Sequence, residues 1–309
     1  MRALMALVAA LALCLAAQVD AVEPQGDTGA HDPTLLIQAE RWFVFITGQG
    51  LQRLASTDQG KTWRRLPPVF TQAPAWWAEA VPGQKALDVW APKVFQHAGR
   101  TWVLYSISTF GKNRSAIGLA SSATLDGSDW RDDGLVVQSV ATDNFNAIDP
   151  DLFADRDGRL WMSYGSFWGG LRLTELDAKT LKPVGETRFI ARAPAIEAPT
   201  LVRRGDWVYL FASYDLCCKG AESTYNVRVG RARSVTGPFV DREGRALMDA
   251  GGTHLLAATG TRWKGPGHQD VVGDLMVHHA YDAERGGKPH LRLARLGWTP
   301  DGWPVIQEE

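Results

Sequence analysis

The chain has 309 residues, 45% hydrophobic and 22% charged, a balance that fits one or two globular domains and excludes a disordered chain. With 33 Lys and Arg against 34 Asp and Glu, the formal net charge is -1, leaving no cationic excess to neutralise a nucleic-acid backbone or an anionic membrane. The 13 Trp, 31 Gly and 16 Pro combine flat aromatic surfaces with frequent turns, as in a turn-rich β-protein handling sugars. About two-thirds of the tryptophans are expected in the core.

At the amino end Arg2 precedes an apolar run over 3–17, and Val19-Asp20-Ala21 ends in a small residue. This is the pattern of a signal peptide over 1–21, which leaves 22–309 as the mature domain. The run is shorter than the ~20 apolar residues of a membrane span. Secretion, to the periplasm or the medium, is therefore expected. Cys14 follows Leu13, where lipoprotein processing wants a small residue, so lipid anchoring is disfavoured. Only Cys217 and Cys218 remain after cleavage. Neighbouring Cα atoms lie ~3.8 Å apart, shorter than the usual disulfide span of ~4.4–6.8 Å, so a distorted bridge and a pair of buried thiols both stand as readings.

Further along, five segments share a head followed by paired aromatic strands. The heads are Asp32-Pro33, Ala91-Pro92, Asp149-Pro150, Ala198-Pro199 and, more weakly, Gly267-His268. Each of the first four precedes a run such as Arg100-Thr101-Trp102-Val103-Leu104-Tyr105 or Asp206-Trp207-Val208-Tyr209-Leu210-Phe211. A third alternating strand follows over 115–120, 171–176, 225–232 and 290–296. Small antiparallel meanders repeating every 50 to 70 or so residues predict an all-β fold, a five-bladed β-propeller. Residues 56–63 (STDQGKTW) resemble the Asp-box hairpin of several propeller families, a structural turn. How the ring closes is not legible in the pattern.

In a propeller, equivalent positions of successive blades meet around the central channel. Asp32, Asp149, Glu197 and His268 all fall at heads, so three carboxyls and an imidazole should share one opening. Taken singly, each Asp-Pro is a common turn dipeptide and His268 could be a turn histidine. Glu197, between apolar neighbours, is less easily explained that way. Converging carboxyls suit glycoside hydrolysis, in which one carboxyl donates a proton to the leaving oxygen and another activates water or attacks the sugar.

The ordered set of His31-Asp32-Pro33, Trp90-Ala91-Pro92, residues 106–119 (SISTFGKNRSAIGL), Asn146-Ala147-Ile148-Asp149-Pro150 and residues 164–169 (YGSFWG) resembles arabinanases of glycoside hydrolase family 43. Ile196-Glu197-Ala198-Pro199, Cys217-Cys218, Ser223-Thr224-Tyr225, residues 265–268 and His279-Ala280-Tyr281-Asp282 continue the likeness to Pro304. The resemblance implies Asp32 as general base, Glu197 as general acid, and Asp149 as the group that orients Glu197 and raises its pKa. It implies inversion, with Asp32 and Glu197 ~6.5–9.5 Å apart. It further implies His31, Trp90, Phe110, Asn146, Ile148, Ser166 and Trp168 as substrate-binding residues. His268 would stand beside a calcium ion held through waters, with no organic cofactor. The implied substrate is α-1,5-linked arabinan or its oligosaccharides, cut internally by a monomer that binds neither nucleic acid nor membrane.

Lys93 departs from the family pattern, which has an acid after Trp-Ala-Pro. A cation there is expected either to pair with Asp32 or Asp149 or to replace a structural contact. Rival readings are an exo-acting arabinanase, an arabinofuranosidase or β-xylosidase of the same family, and a sugar-binding propeller without turnover. A retaining sialidase is disfavoured by the single Asp box and by the lack of an arginine cluster at the heads.

Overall fold

A computed structural model describes residues 23–85, 87–127 and 129–307. The expected signal peptide, its cleavage site and Cys14 lie outside these residues. The described chain forms five sheets, each built from a contiguous stretch apart from one short strand borrowed at a sheet edge. Blade 1 holds Thr34–Gln38, Arg41–Ile46, Gln52–Ser56 and Thr62–Leu66, with Gln25–Gly26 added in parallel at its outer edge. Blade 2 holds Asp88–His97, Arg100–Ile107, Ser115–Ser122 and Arg131–Ser139, with Gly48–Gln49 on its inner edge. Blade 3 runs through Asp151–Ala154, Leu160–Tyr164, Leu171–Leu176 and Pro183–Ala191. Blade 4 runs through Ile196–Arg204, Trp207–Tyr214, Asn226–Ala232 and Thr253–Leu256. Blade 5 holds Trp263–Val272, Leu275–Asp282, Lys288–Trp298 and Pro304–Ile306. The first strand of each blade touches the first strand of the next, from blade 1 round to blade 5 and back, so these strands wall the axis.

The paired aromatic runs are continuous rather than alternating because both faces of a blade are buried. Side chains of a strand point alternately to opposite faces, and each face packs on a neighbouring blade. Thus Phe43 and Phe45 join Val103 and Tyr105 between blades 1 and 2. Val44 and Ile46, from the same strand, join Val277 and Leu291 between blades 1 and 5. The same division sends Leu210 and Ala212 to the blade 3 side and Tyr209 and Phe211 to the blade 5 side. One apolar wedge fills each of the five interfaces.

Among the described residues, ring closure uses no strand exchanged between the two ends. Blade 5 takes its outermost strand from the carboxyl end, and the segment before Asp32 crosses from blade 1 to blade 5. There Gly29 pairs with His290, and Leu291 N–H donates to Thr28 O over 2.8 Å. In the Asp-box hairpin Ser56 Oγ accepts from Gly60 N–H, Asp58 accepts from Thr62 N–H, and the Trp63 indole donates to Gly60 O. Gly60 has φ +84°, a conformation that costs glycine nothing. The box is a turn clamp, as expected.

Fewer tryptophans are core than the composition suggests: only Trp63, Trp77, Trp161 and Trp303 are buried. Several others are half-covered by arginines instead, Trp207 under Arg231 and Arg233, Trp263 between Arg262 and Arg292, and Trp298 under Arg204. A guanidinium can shield an indole face while keeping its charge in water.

Candidate active site

The backbone prepares the site before any side chain is considered. Asp32, Ala91, Asp149, Ala198 and His268, one per blade, all have positive φ, at 52°, 44°, 59°, 52° and 50°. For non-glycine residues this costs on the order of 1–3 kcal/mol each, and four of the five also precede proline, which further restricts them. The inner strands of blades 2, 4 and 5 shift register here, between Trp90 and Lys93, between Glu197 and Thr200, and between Gly267 and Asp270. An extended strand would send consecutive side chains to opposite faces, whereas such a kink lets two neighbours face one way. His31 and Asp32, and likewise Ile148 and Asp149, line the same cleft.

That cleft, about 780 Å³ in volume, is lined by every catalytic, substrate-binding and metal-site residue expected from the sequence: His31, Asp32, Trp90, Phe110, Asn146, Ile148, Asp149, Ser166, Trp168, Glu197 and His268. Phe110 is 75% and Trp168 45% exposed, large aromatic faces left to solvent at the rim. The Asn146 side-chain oxygen is buried without a hydrogen-bond partner in the protein.

The acids have very different surroundings. Asp32 Oδ1 lies 2.8 Å from His31 Nδ1 and 3.1 Å from His268 Nδ1, and Oδ2 accepts from the Thr47 hydroxyl. Burial pushes its pKa up, but His268 and His31 together outweigh burial and hold the carboxyl well below its usual range. Asp32 is therefore a carboxylate. Reciprocally, burial works against protonation of His268, but Asp32 and the other acids raise its pKa from 6.5 to about 9. Asp149 is shifted the opposite way: burial first, then Glu197 and Asp32, push it well above the ordinary value, with His268 opposing. Its Oδ2 accepts from Ala198 N–H over 3.2 Å, the residue next to Glu197. Glu197 accepts from the Ser166 hydroxyl at Oε2 and the Tyr225 hydroxyl at Oε1, both over 2.7 Å.

Thr47, Tyr225, His279 and Tyr281 belong to this constellation although head positions alone do not reveal them. They come from outside the first strands: Tyr225 immediately precedes the third strand of blade 4, and His279 and Tyr281 lie in the second strand of blade 5. His279 stacks on His31 with ring centroids 4.0 Å apart, and burial keeps its pKa well below the usual value. Its Nδ1 accepts from Asp32 N–H over 3.1 Å.

Two residues further along each inner strand, a second layer contains Thr34, Lys93, Asp151, Thr200 and Asp270. Lys93 pairs with Asp151 over 2.7 Å and Asp270 over 2.6 Å, all three buried or nearly so. Asp270 also accepts from Thr34 Oγ1 and Leu35 N–H, and Asp151 from Leu201 N–H. The departure at Lys93 is thus resolved: it pairs with neither Asp32 nor Asp149, but bridges blades 2, 3 and 5 beneath them. Cys217 and Cys218, left open by the sequence, form a disulfide on the cleft wall.

The model of the glycosyl hydrolases family 43 matches residues 23–304. The chain belongs to this family. The family 43 hydrolase is 44% identical over 283 residues to an extracellular endo-α-(1→5)-L-arabinanase of Bacillus subtilis, covering 89% of this chain and 86% of that protein. It is 38% identical over 329 residues to an extracellular exo-α-(1→5)-L-arabinofuranosidase of Cellvibrio japonicus, covering 99% and 91%. Among solved structures, an endo-arabinanase from Bacillus licheniformis superposes with a TM-score of 0.89 at 44% identity, covering 92% of this hydrolase and 99% of that chain. The five-bladed architecture derived from the repeat is the architecture observed.

Proposed function

We propose that this hydrolase is secreted and cleaves internal α-1,5-L-arabinofuranosidic linkages of arabinan with inversion, with Asp32 as general base and Glu197 as general acid. The observation that carries the assignment is the divided electrostatics of one cleft: two imidazoles hold Asp32 well below the ordinary carboxyl range, while burial and the neighbouring acids push Asp149, bonded to the residue after Glu197, well above it. In this reading Glu197 gives its proton to the departing glycosidic oxygen while Asp32 takes one from the water attacking the anomeric carbon from the opposite side. Asp149 positions Glu197 through Ala198 N–H, and Ser166 and Tyr225 fix its two oxygens. The exposed faces of Phe110 and Trp168 suit the C–H faces of a sugar, and the unpartnered Asn146 oxygen suits a hydroxyl.

The surroundings of His268 bear on the implied calcium ion. Calcium takes about 6–8 oxygen ligands. The His268 ring is instead directed to Asp32, with Nδ1 3.1 Å from Asp32 Oδ1. An ion here would be held through water; it would supply positive field to the acids, and no step above runs through it. Metal analysis before and after chelation, with unfolding temperature as the readout, tests its presence.

The deciding experiment is a product time course on debranched arabinan, with xylan and an aryl arabinofuranoside in parallel, Glu197→Ala as control, and NMR of the first anomer released. Early mixed oligosaccharides of inverted configuration are expected. Arabinose or one fixed oligomer from the start would replace internal cleavage by exo action, the reading favoured by the Cellvibrio relative. An active Glu197→Ala protein would overturn the acid assignment.

A further inference from the structure

The wall of the cleft that holds Cys217 and Cys218 has a feature that the proposed chemistry does not use. Between the second and third strands of blade 4, the loop carrying Cys217 and Cys218 is closed by a disulfide between sequence neighbours. Cys218 has φ +68° and its backbone N–H points across to blade 5, where it donates to the Tyr281 hydroxyl over 2.8 Å. The Tyr281 hydroxyl lies 2.8 Å from His31 Nε2, and His31 Nδ1 lies 2.8 Å from Asp32 Oδ1. Cys218 Sγ is itself 3.9 Å from His31 Nε2. The loop and the buried carboxylate are thus joined by three consecutive contacts.

The direction of these contacts follows from what each group can do. An ionised Asp32 only accepts, so His31 must donate from Nδ1. With that proton on Nδ1, the Nε2 side of His31 meets the Tyr281 hydroxyl, and the Tyr281 oxygen in turn accepts the Cys218 N–H. The alternative His31 tautomer, with its proton on Nε2, would turn a lone pair toward the carboxylate.

We propose that Cys217–Cys218 and Tyr281 are positioning groups for the general base: by placing the Cys218 N–H on Tyr281 they hold His31 as the Nδ1–H donor to Asp32. Reducing the disulfide therefore slows turnover while the cleft still binds its substrate. The inference rests on the reading of Asp32 as the base. Reduction by a dithiol breaks the one S–S bond, leaves two cysteine thiols that take up the dithiol's two protons, and oxidises the dithiol to its own disulfide. The loop backbone is then free to leave the left-handed turn at Cys218.

The test combines kinetics with a direct view of His31. In protein labelled with ¹⁵N-histidine, with the resonances assigned through His31→Gln, the oxidised form should show His31 as the Nδ1–H tautomer and the dithiol-treated form a mixture. Reduced wild type and Tyr281→Phe should each lose about ten-fold in kcat with KM changed by no more than about two-fold. Reducing Tyr281→Phe should cost nothing more, since both changes break the same chain. Cys217→Ser/Cys218→Ser should reproduce the reduced wild type and removes any effect of the reagent on folding. An unchanged tautomer, an effect confined to KM, an unchanged kcat or additive losses would each overturn the proposal. Turnover by Asp32→Asn would instead strike the base assignment and leave the tautomer result standing.

Discussion

Two layers of the same five inner strands, separated by only two residues, treat charge in opposite ways. The upper layer, with Asp32, Asp149 and His268 at its kinks and Glu197 beside them, gathers three carboxyls around a single strongly basic imidazole. Asp32 is driven toward ionisation and Asp149 toward protonation. The lower layer holds two buried carboxylates around Lys93, and hydrogen bonds from Thr34, Leu35 and Leu201 satisfy the remaining oxygens. A buried carboxyl short of a counter-charge is poised to move a proton, whereas one fully paired with an ammonium fixes blades to one another. One blade repeat thus supports chemistry above and cohesion below, the difference being the supply of cations.

The contrast can be broken by substitution. The largest effect should come from the upper layer: Asp32→Ala or Glu197→Ala should lower kcat on arabinan by about 10²–10⁴-fold, with the unfolding transition retained. Lys93→Met attacks the lower layer and leaves Asp151 and Asp270 buried without their cation. Urea unfolding should show a loss of about 3–5 kcal/mol. Adding Asp151→Asn and Asp270→Asn to Lys93→Met should restore most of it. A Lys93→Met protein that kept its stability but lost its pH profile would move Lys93 from cohesion to catalysis.

A pH series sharpens the same comparison with a smaller effect. The His268 pKa is raised from 6.5 to about 9 in the fold, so its pairing with Asp32 stabilises fully below 6.5 and fades as the pH rises through about 9. The Asp32 pKa is lowered from 3.8, so its share is present above that value and is lost as the pH falls through the depressed one. The difference in unfolding temperature between wild type and His268→Gln should be greatest between those limits and should close in alkali. At the rim, Phe110→Ala should raise KM by about ten-fold or less and shift stability by no more than about 0.5 kcal/mol, because the ring is 75% exposed.

Much of this was legible in the chain. Asp32-Pro33, Ala91-Pro92, Asp149-Pro150 and Ala198-Pro199 mark the blades because a kinked strand start needs turn residues, and the aromatic runs after them are strands buried on both faces. The repeat position alone brings Asp32, Asp149, Glu197 and His268 to one cleft, since equivalent positions of a ring must meet. Tyr225, Thr47 and Tyr281 were not legible as site residues, because they enter from neighbouring strands and connections at heights that depend on how blades stack. The closure of blade 1 on blade 5 through Gly29 and His290 was hidden for a similar reason: backbone pairing between distant segments leaves no side-chain signature.

The sequence by itself therefore determined the five blades, their core faces and the acids at their heads, because these follow from periodicity along a single strand. Only the tertiary structure decided the partner of each charge. Lys93 is a single residue from Pro92 at the head of its blade, yet it pairs with Asp151 and Asp270 of two other blades rather than with Asp32 or Asp149. Electrostatic partnership depends on distances of a few ångströms between separate strands, and such distances are set by blade packing and by the kink at each head.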